Sequence, residues 1–188
     1  MITILEYGQQ HLAAISIQSK LLQNNIIQIE GEINDEMAVD VKSAILYLIN
    51  KSPTPTIHLH INSPGGSIYA GLGILGMIKL AQSKGIIVET TCTGSAMSMA
   101  FALMVSGTKG HRRAMSYSTF MGHHASAGCV GNVQDLAISL KEVERLNNIL
   151  MSIIKDNTLI ANPKEFFNRD VYIDNEEALK LGIIDTVL

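Results

Sequence analysis

Apolar and polar positions along this chain repeat with two periods, one of strands and one of helices. "NNIIQIEGEIND" (24–35) packs isoleucines into a short run closed by polar residues, which predicts a buried strand and a turn. Asp35 stands where it can cap a helix through "EMAVDVKSAILYLIN". There Met37, Val41, Ala44, Ile45 and Leu48 recur at the three-and-four spacing of one apolar face. The prolines of "SPTPT" (52–56) end that helix, because each removes a donor and restricts its predecessor. "TIHLHIN" (56–62) then reads as a second strand.

A glycine turn, "SPGGSIYAG" (63–71), leads into a helix through "AGLGILGMIKLAQSKG" (70–85), answered by a third strand, "IIVETTC" (86–92). Strand, helix and strand at these lengths predict right-handed parallel crossovers and an α/β fold. "SYSTFMG" (116–122) reads as a further strand. A long amphipathic helix is predicted over "NVQDLAISLKEVERLNNILMSIIKDNT" (132–158), with Leu136, Leu140, Val143, Leu146, Leu150 and Ile153 along one side. That stripe holds more apolar surface than one small domain needs. A last helix is predicted to start at Asp174, with Glu177 three residues on, and to stop at Gly182. Repeats, low-complexity tracts and linkers are absent, and 188 residues predict a single domain over 1–188.

Composition narrows the function classes. The net charge is −3, and no basic run or basic–aromatic interleaving points to nucleic acid. The longest apolar run near the middle, Met99 to Val105, is too short to cross a bilayer. "MITILEYGQQ" lacks the pattern of a signal peptide, so the expectation is a soluble, cytoplasmic protein. Cys92 and Cys129 have no CxxC spacing and are expected in the core or a wall. His58 and His60 alternate on one strand face, but no third residue has a spacing that commits to a metal.

The chemistry enters with "GSAMSMA" (94–100), which sets Ser98 where a strand gives way to a helix. A helix N-terminus leaves unpaired N–H groups and a partial positive charge beside the hydroxyl, and the N–H of Met99 is a natural oxyanion donor. The glycines of "INSPGGS" let a bare N–H approach a ligand and supply the other half of an oxyanion hole. A base for Ser98 is offered by His123 or His124 in "MGHHA", at a strand end where sites of open α/β sheets gather.

Four motifs in order, "INSPGGSIYAG", "GSAMSMA", "MGHHA" and "NRDVYIDNEEALKLGIID", resemble the ClpP family, the proteolytic subunits of caseinolytic Clp proteases. The resemblance runs from about "SIQSKLLQNNIIQIEGEIND" to the C-terminus. It implies a crotonase-like α/β fold with a protruding handle helix and a Ser-His-Asp peptidase cutting unfolded polypeptides or short peptides. Matching motifs place the nucleophile on Ser98, the base on His123, the orienting acid on Asp170, and the oxyanion amides on Gly66 and Met99. It also implies stacked heptameric rings around a closed chamber, no cofactor or metal in the subunit, and ATP used by a partner AAA+ unfoldase.

Departures from the pattern qualify this. His58 and His60 stand where the family commonly has tyrosines lining the pocket that grips unfoldase loops, which puts docking of a standard unfoldase in question. Asn168 replaces an acidic residue used in ring contacts, His124 replaces a glutamine, and "SKG" reads as a short insertion. The alternatives are a crotonase-type acyl-CoA enzyme, which shares the fold and a two-amide oxyanion hole, and a non-catalytic ring subunit.

Overall fold

The computed structural model describes residues 3–7, 12–51 and 56–188. Most of the "SPTPT" break, residues 52–55, lies outside the described residues. Strands β1 (Thr3–Tyr7) and β2 (Leu12–Ser16) form an antiparallel hairpin that the hydrophobic pattern did not announce. Helix α1 (Ile17–Gln23) follows directly, its first turn capped by the Ser16 hydroxyl, which accepts the Ser19 N–H at 3.0 Å.

Strand β3 (Ile26–Glu30) buries Ile27 and Ile29, as its isoleucine run predicts. Helix α2 (Asp35–Lys51) buries Ala38, Val41, Ile45 and Leu48, with Met37 and Ala44 partly covered. Its cap is Asn34, whose side chain accepts the Met37 N–H at 2.9 Å. Asp35, expected as the cap, is the first helical residue, and its charge complements the helix's positive end.

Strand β4 (Ile57–Ser63) buries Ile57, Leu59 and Ile61 and leaves His58 and His60 half-buried on the other face. Helix α3 (Ile68–Ser83) packs against α2 and returns the chain to β5 (Val88–Met97). The residues read as an insertion form the end of α3 and its turn, with Gly85 at φ +76°. Helix α4 (Met99–Val105) is buried along its whole length, so the apolar run too short for a membrane is a core helix.

Beyond it come β6 (Arg112–Ala114), β7 (Thr119–Gly122), α5 (Val133–Asn157), α6 (Pro163–Phe166), β8 (Val171–Ile173), α7 (Asn175–Lys180) and β9 (Thr186–Val187). The main sheet runs β3-β4-β5-β6-β9, all parallel. Strand β5 has two partners in succession. Thr90, Thr91 and Cys92 pair with β6, whereas Ser95, Ala96 and Met97 pair with β7, which in turn pairs antiparallel with β8. The sheet therefore divides at β5, and its second branch carries the site.

The last strand is locked by Arg112, 4% exposed, whose guanidinium meets the Asp185 carboxylate at 2.6 and 3.0 Å and also donates to Asn157 and Gly182 carbonyls. Burial opposes the charged form of Asp185, but the hydrogen bonds and charge of Arg112, with the Gly110 N–H, outweigh it and hold the carboxyl below its ordinary value.

Helix α7 starts as its sequence predicts, with Asp174 accepting the Glu177 N–H at 2.9 Å, and stops before Gly182 at φ +65°. On α5 only the second half of the apolar stripe is buried, through Leu146, Leu150, Met151 and Ile154. Val133 at 78%, Leu140 at 60% and Leu136 at 41% exposure leave the first half uncovered. Cys92 is buried in β5 as expected. Cys129 is exposed in the loop before α5, not part of a core or wall. No helix among the described residues is long and apolar enough to cross a membrane.

Candidate active site

Three neighbouring strand ends bring the site together. Met97 of β5 is in register with Met121 of β7, and the Ser98 N–H continues the pairing by donating to the Met121 carbonyl at 2.8 Å. Ser98 is thereby fixed beside the residues that follow β7. His123 Nε2 lies 2.7 Å from Ser98 Oγ, a hydrogen bond. The antiparallel partner β8 sets Val171 opposite Gly122, so Asp170, just before β8, falls beside His123.

Ser98 occupies an unusual backbone conformation, φ +53° and ψ −120°, at the turn from β5 into α4. Such a conformation costs on the order of 1–3 kcal/mol for a residue with a side chain, and here it aims a hydroxyl out of an otherwise apolar junction. The glycine turn lies against it. A Cβ on Gly65, at φ +97°, would come within 2.7 Å of Ser98 Cβ and the Met97 carbonyl. One on Gly66, at φ +145°, would sit 2.3 Å from the Ile33 carbonyl oxygen. Both positions therefore require glycine. Among the described residues neither the Gly66 nor the Met99 N–H has a hydrogen-bond partner, so both are free for an oxyanion beside Ser98.

Of the two histidines that the motif left open, His123 faces Ser98, whereas His124 turns away and bonds the Lys164 carbonyl at 2.9 Å through Nε2. Asp170 Oδ1 stands 3.8 Å from His123 Nδ1, within ion-pair range but longer than a hydrogen bond, and its side chain is 63% exposed. The other aspartates of the C-terminal motif have separate tasks, Asp174 capping α7 and Asp185 holding Arg112. Sequence reasoning missed Asn147 of α5, whose amide oxygen accepts the Ala125 N–H at 3.0 Å and anchors the segment after His123. No periodicity marks that contact, because it depends on how α5 lies across the sheet.

Next to the glycine turn, Tyr69 donates to Glu142 at 2.7 Å, and Arg145 grips the same carboxylate twice at 2.7 Å, tying α3 to α5. The Arg145 and Tyr69 hydrogen bonds hold the Glu142 carboxyl down to about 2. On the polar face of the sheet, His58 Nδ1 and Arg113 both meet the buried Glu89 at 2.9 Å. Burial, then the neighbouring His58, lowers the affinity of His60 for a proton. No group of three or more His, Cys, Asp or Glu side chains among the described residues is placed to hold a metal ion. A groove of about 890 Å³ between α1, β3 and α2 shares no residue with the small cavity at Ser98.

A parallel α/β sheet presenting a serine hydroxyl on a histidine, beside two free N–H groups, is the equipment of a serine-type hydrolase. Comparison with known proteins makes this specific: the sequence model of the Clp protease family matches residues 8–188. A proteolytic subunit of the ATP-dependent Clp protease from Bacteroides fragilis is 37% identical over 98% of this chain and 89% of its own length. The corresponding subunit of Deinococcus radiodurans is 37% identical over 98% and 90%, and that of Borreliella afzelii 34% identical over 99% and 94%.

The chain belongs to the Clp protease family. It is a serine peptidase, a hydrolase acting on peptide bonds, and its fold is ClpP-like. Subunits of this family self-associate into rings and need no cofactor of their own, ATP being used by the partner unfoldase. The acyl-CoA alternative gives way to this membership.

Proposed function

We propose that this chain is a self-compartmentalised endopeptidase whose nucleophile is Ser98, whose base is His123 and whose orienting acid is Asp170. The observation that carries the assignment is the 2.7 Å hydrogen bond between Ser98 Oγ and His123 Nε2. As Oγ attacks a peptide carbonyl, its proton passes to His123 Nε2, and the oxyanion is held by the Gly66 and Met99 N–H groups. His123 then returns the proton to the leaving amine, and water repeats the sequence on the acyl-enzyme. Asp170 favours the Nδ1–H tautomer and steadies the imidazolium; at 3.8 Å its contact has to shorten, as loose apo contacts in active sites do when substrate binds.

The whole chain, 1–188, acts as one domain in this reading, and the subunits build two stacked heptameric rings. The uncovered apolar half of α5 supports ring stacking, since a contiguous exposed stripe of this kind marks an interface. The site of action is a cytoplasmic chamber, into which an AAA+ unfoldase threads unfolded polypeptide. The His58–Glu89–Arg113 group makes the surface at that strand a polar one for such a partner.

The test is labelling with a fluorophosphonate serine probe on wild type and Ser98→Ala, with oligomer size recorded on the same samples. Wild type should label and the variant should not, at equal assembly. Equal labelling of both would sink the assignment of Ser98.

A further inference from the structure

Strand β5 changes partners between Cys92 and Ser95, and a bulge makes the change. Two steps along β4, from Ile61 to Ser63, face four along β5, from Cys92 to Ala96. Up to Cys92 the strand pairs with β6, and from Ser95 it pairs with β7 and runs on to Ser98. A bulge re-aims the strand beyond it, so the direction in which β5 delivers Ser98 is set at Thr93 and Gly94.

One side chain pins this bulge. Asn62 Oδ1 accepts the Ser95 N–H at 3.1 Å and the Ser95 hydroxyl at 3.3 Å, taking the part of a ladder carbonyl where the ladder is interrupted. Its other end, Nδ2, donates to Glu30 Oε2 on β3 at 3.1 Å. That bond fixes which way the amide faces: turned over, its NH2 group would meet the Ser95 N–H, donor against donor. Gly94 lies flat on the same amide, since a Cβ there would stand 2.6 Å from Asn62 Oδ1. At the start of the bulge the Thr93 hydroxyl donates to the Ile61 carbonyl at 3.3 Å. Asn62 itself is exposed, so little buried surface depends on it. What depends on it is the path of β5 over the three residues before the nucleophile.

We infer that Asn62 is a positioning residue of the peptidase: oriented by Glu30 and acting through Ser95, it holds the β5 bulge that aims Ser98 Oγ at His123 Nε2. The inference rests on the reading of Ser98 as nucleophile and adds the device that places it.

The experiment compares assembled wild type, Asn62→Ala, Asn62→Asp and the double variant Glu30→Gln/Asn62→Asp on one fluorogenic peptide amide. Active sites are counted by fluorophosphonate titration, and kcat is expressed per labelled site. A misplacement of about 1 Å costs on the order of 10²-fold, so Asn62→Ala should lower kcat about 10- to 100-fold. KM should stay within about twofold, and the melting point near that of wild type. Asn62→Asp keeps an oxygen facing Ser95 but sets a carboxylate against Glu30, and should also lose kcat. In the double variant the glutamine amide can donate to that carboxylate, and most of the lost kcat should return. A merely structural role would instead lower the number of labelled sites and leave kcat per site unchanged, which overturns the inference. So does a double variant no faster than Asn62→Asp. Should Asn62→Ala not assemble, the two variants carrying Asn62→Asp decide alone, and failure of both to assemble makes the role structural and overturns the inference as well. A wild type that neither labels nor cleaves overturns the site reading, and the inference with it.

Discussion

Replacing Asp170 by asparagine keeps the size of the side chain and removes its charge, so the kinetic loss measures what that charge contributes. Its Oδ1 lies 3.8 Å from His123 Nδ1. When the imidazolium forms in the transition state, a unit pair at that separation is worth about 1 kcal/mol in water and about 4 kcal/mol at an effective dielectric constant of ~20. In rate these correspond to roughly 6-fold and on the order of 1,000-fold. Asp170 is 63% exposed, which places it near the aqueous limit, and exposed charge pairs are screened by salt. The expected loss in kcat/KM for Asp170→Asn is therefore about 5- to 20-fold, close to the aqueous figure, with the gap between wild type and variant narrowing at high salt. Removing the charge of a fully buried acid in such a triad costs on the order of 10⁴. A loss of that size, insensitive to salt, would refute the electrostatic reasoning, and so would a loss under twofold.

Three further outcomes follow from the same geometry. Gly66→Ala would place a Cβ 2.3 Å from the Ile33 carbonyl oxygen and 2.8 Å from its nitrogen, so the glycine turn must shift and its N–H leaves the oxyanion. A fall in kcat of about 10²–10³ with a much smaller change in KM is expected, and a kcat within threefold of wild type would remove Gly66 from the hole. Asp185→Asn strands the 4% exposed Arg112 and should cost about 2 kcal/mol, less than the ~3–5 of a fully buried pair because Asp185 keeps some contact with water. A melting point lower by about 5 °C checks this. The same carboxyl is held below its ordinary 3.8. Its stabilisation is thus complete above that value and lost as pH falls through the lower folded value, so the wild type should lose, below about pH 4, an increment that Asp185→Asn lacks.

How much of this was legible in the sequence depended on the distance over which each feature is decided. Helix α7 could be read to the residue because cap and stop are local: Asp174 meets the Glu177 N–H, and Gly182 takes a positive φ. The face of α2 could be read because its buried residues follow the helical period. The hairpin at β1 and β2 gave no comparable signal, because "TILEY" and "LAAIS" lack strict alternation. The division of β5 between β6 and β7 was equally hidden, since which strand pairs with which is a tertiary outcome. Asn34 displaced Asp35 as the cap of α2 by one residue, a margin that neighbouring capping residues do not resolve from sequence alone.

The candidate site divides along the same line. Ser98 and the glycine pair were legible because their chemistry is local: a hydroxyl at a strand-to-helix junction and a turn that needs positive φ. Nothing local distinguishes Asp170 from Asp174 or Asp185, and only motif matching singled it out. The physical distinction lies in the partners. Asp174 spends its carboxylate on the Glu177 N–H and Asp185 spends its own on Arg112, whereas Asp170 precedes a strand antiparallel to β7 and so faces the histidine that follows β7. The same strand pairing explains why the serine–histidine contact is tight and the histidine–aspartate contact is not. Ser98 is joined to β7 by its own N–H, a direct hydrogen bond one residue from the parallel ladder. Asp170 is reached only through the end of the three-residue strand β8, with its side chain in solvent, so whatever closes the last contact has to act on that end of β8 from outside it.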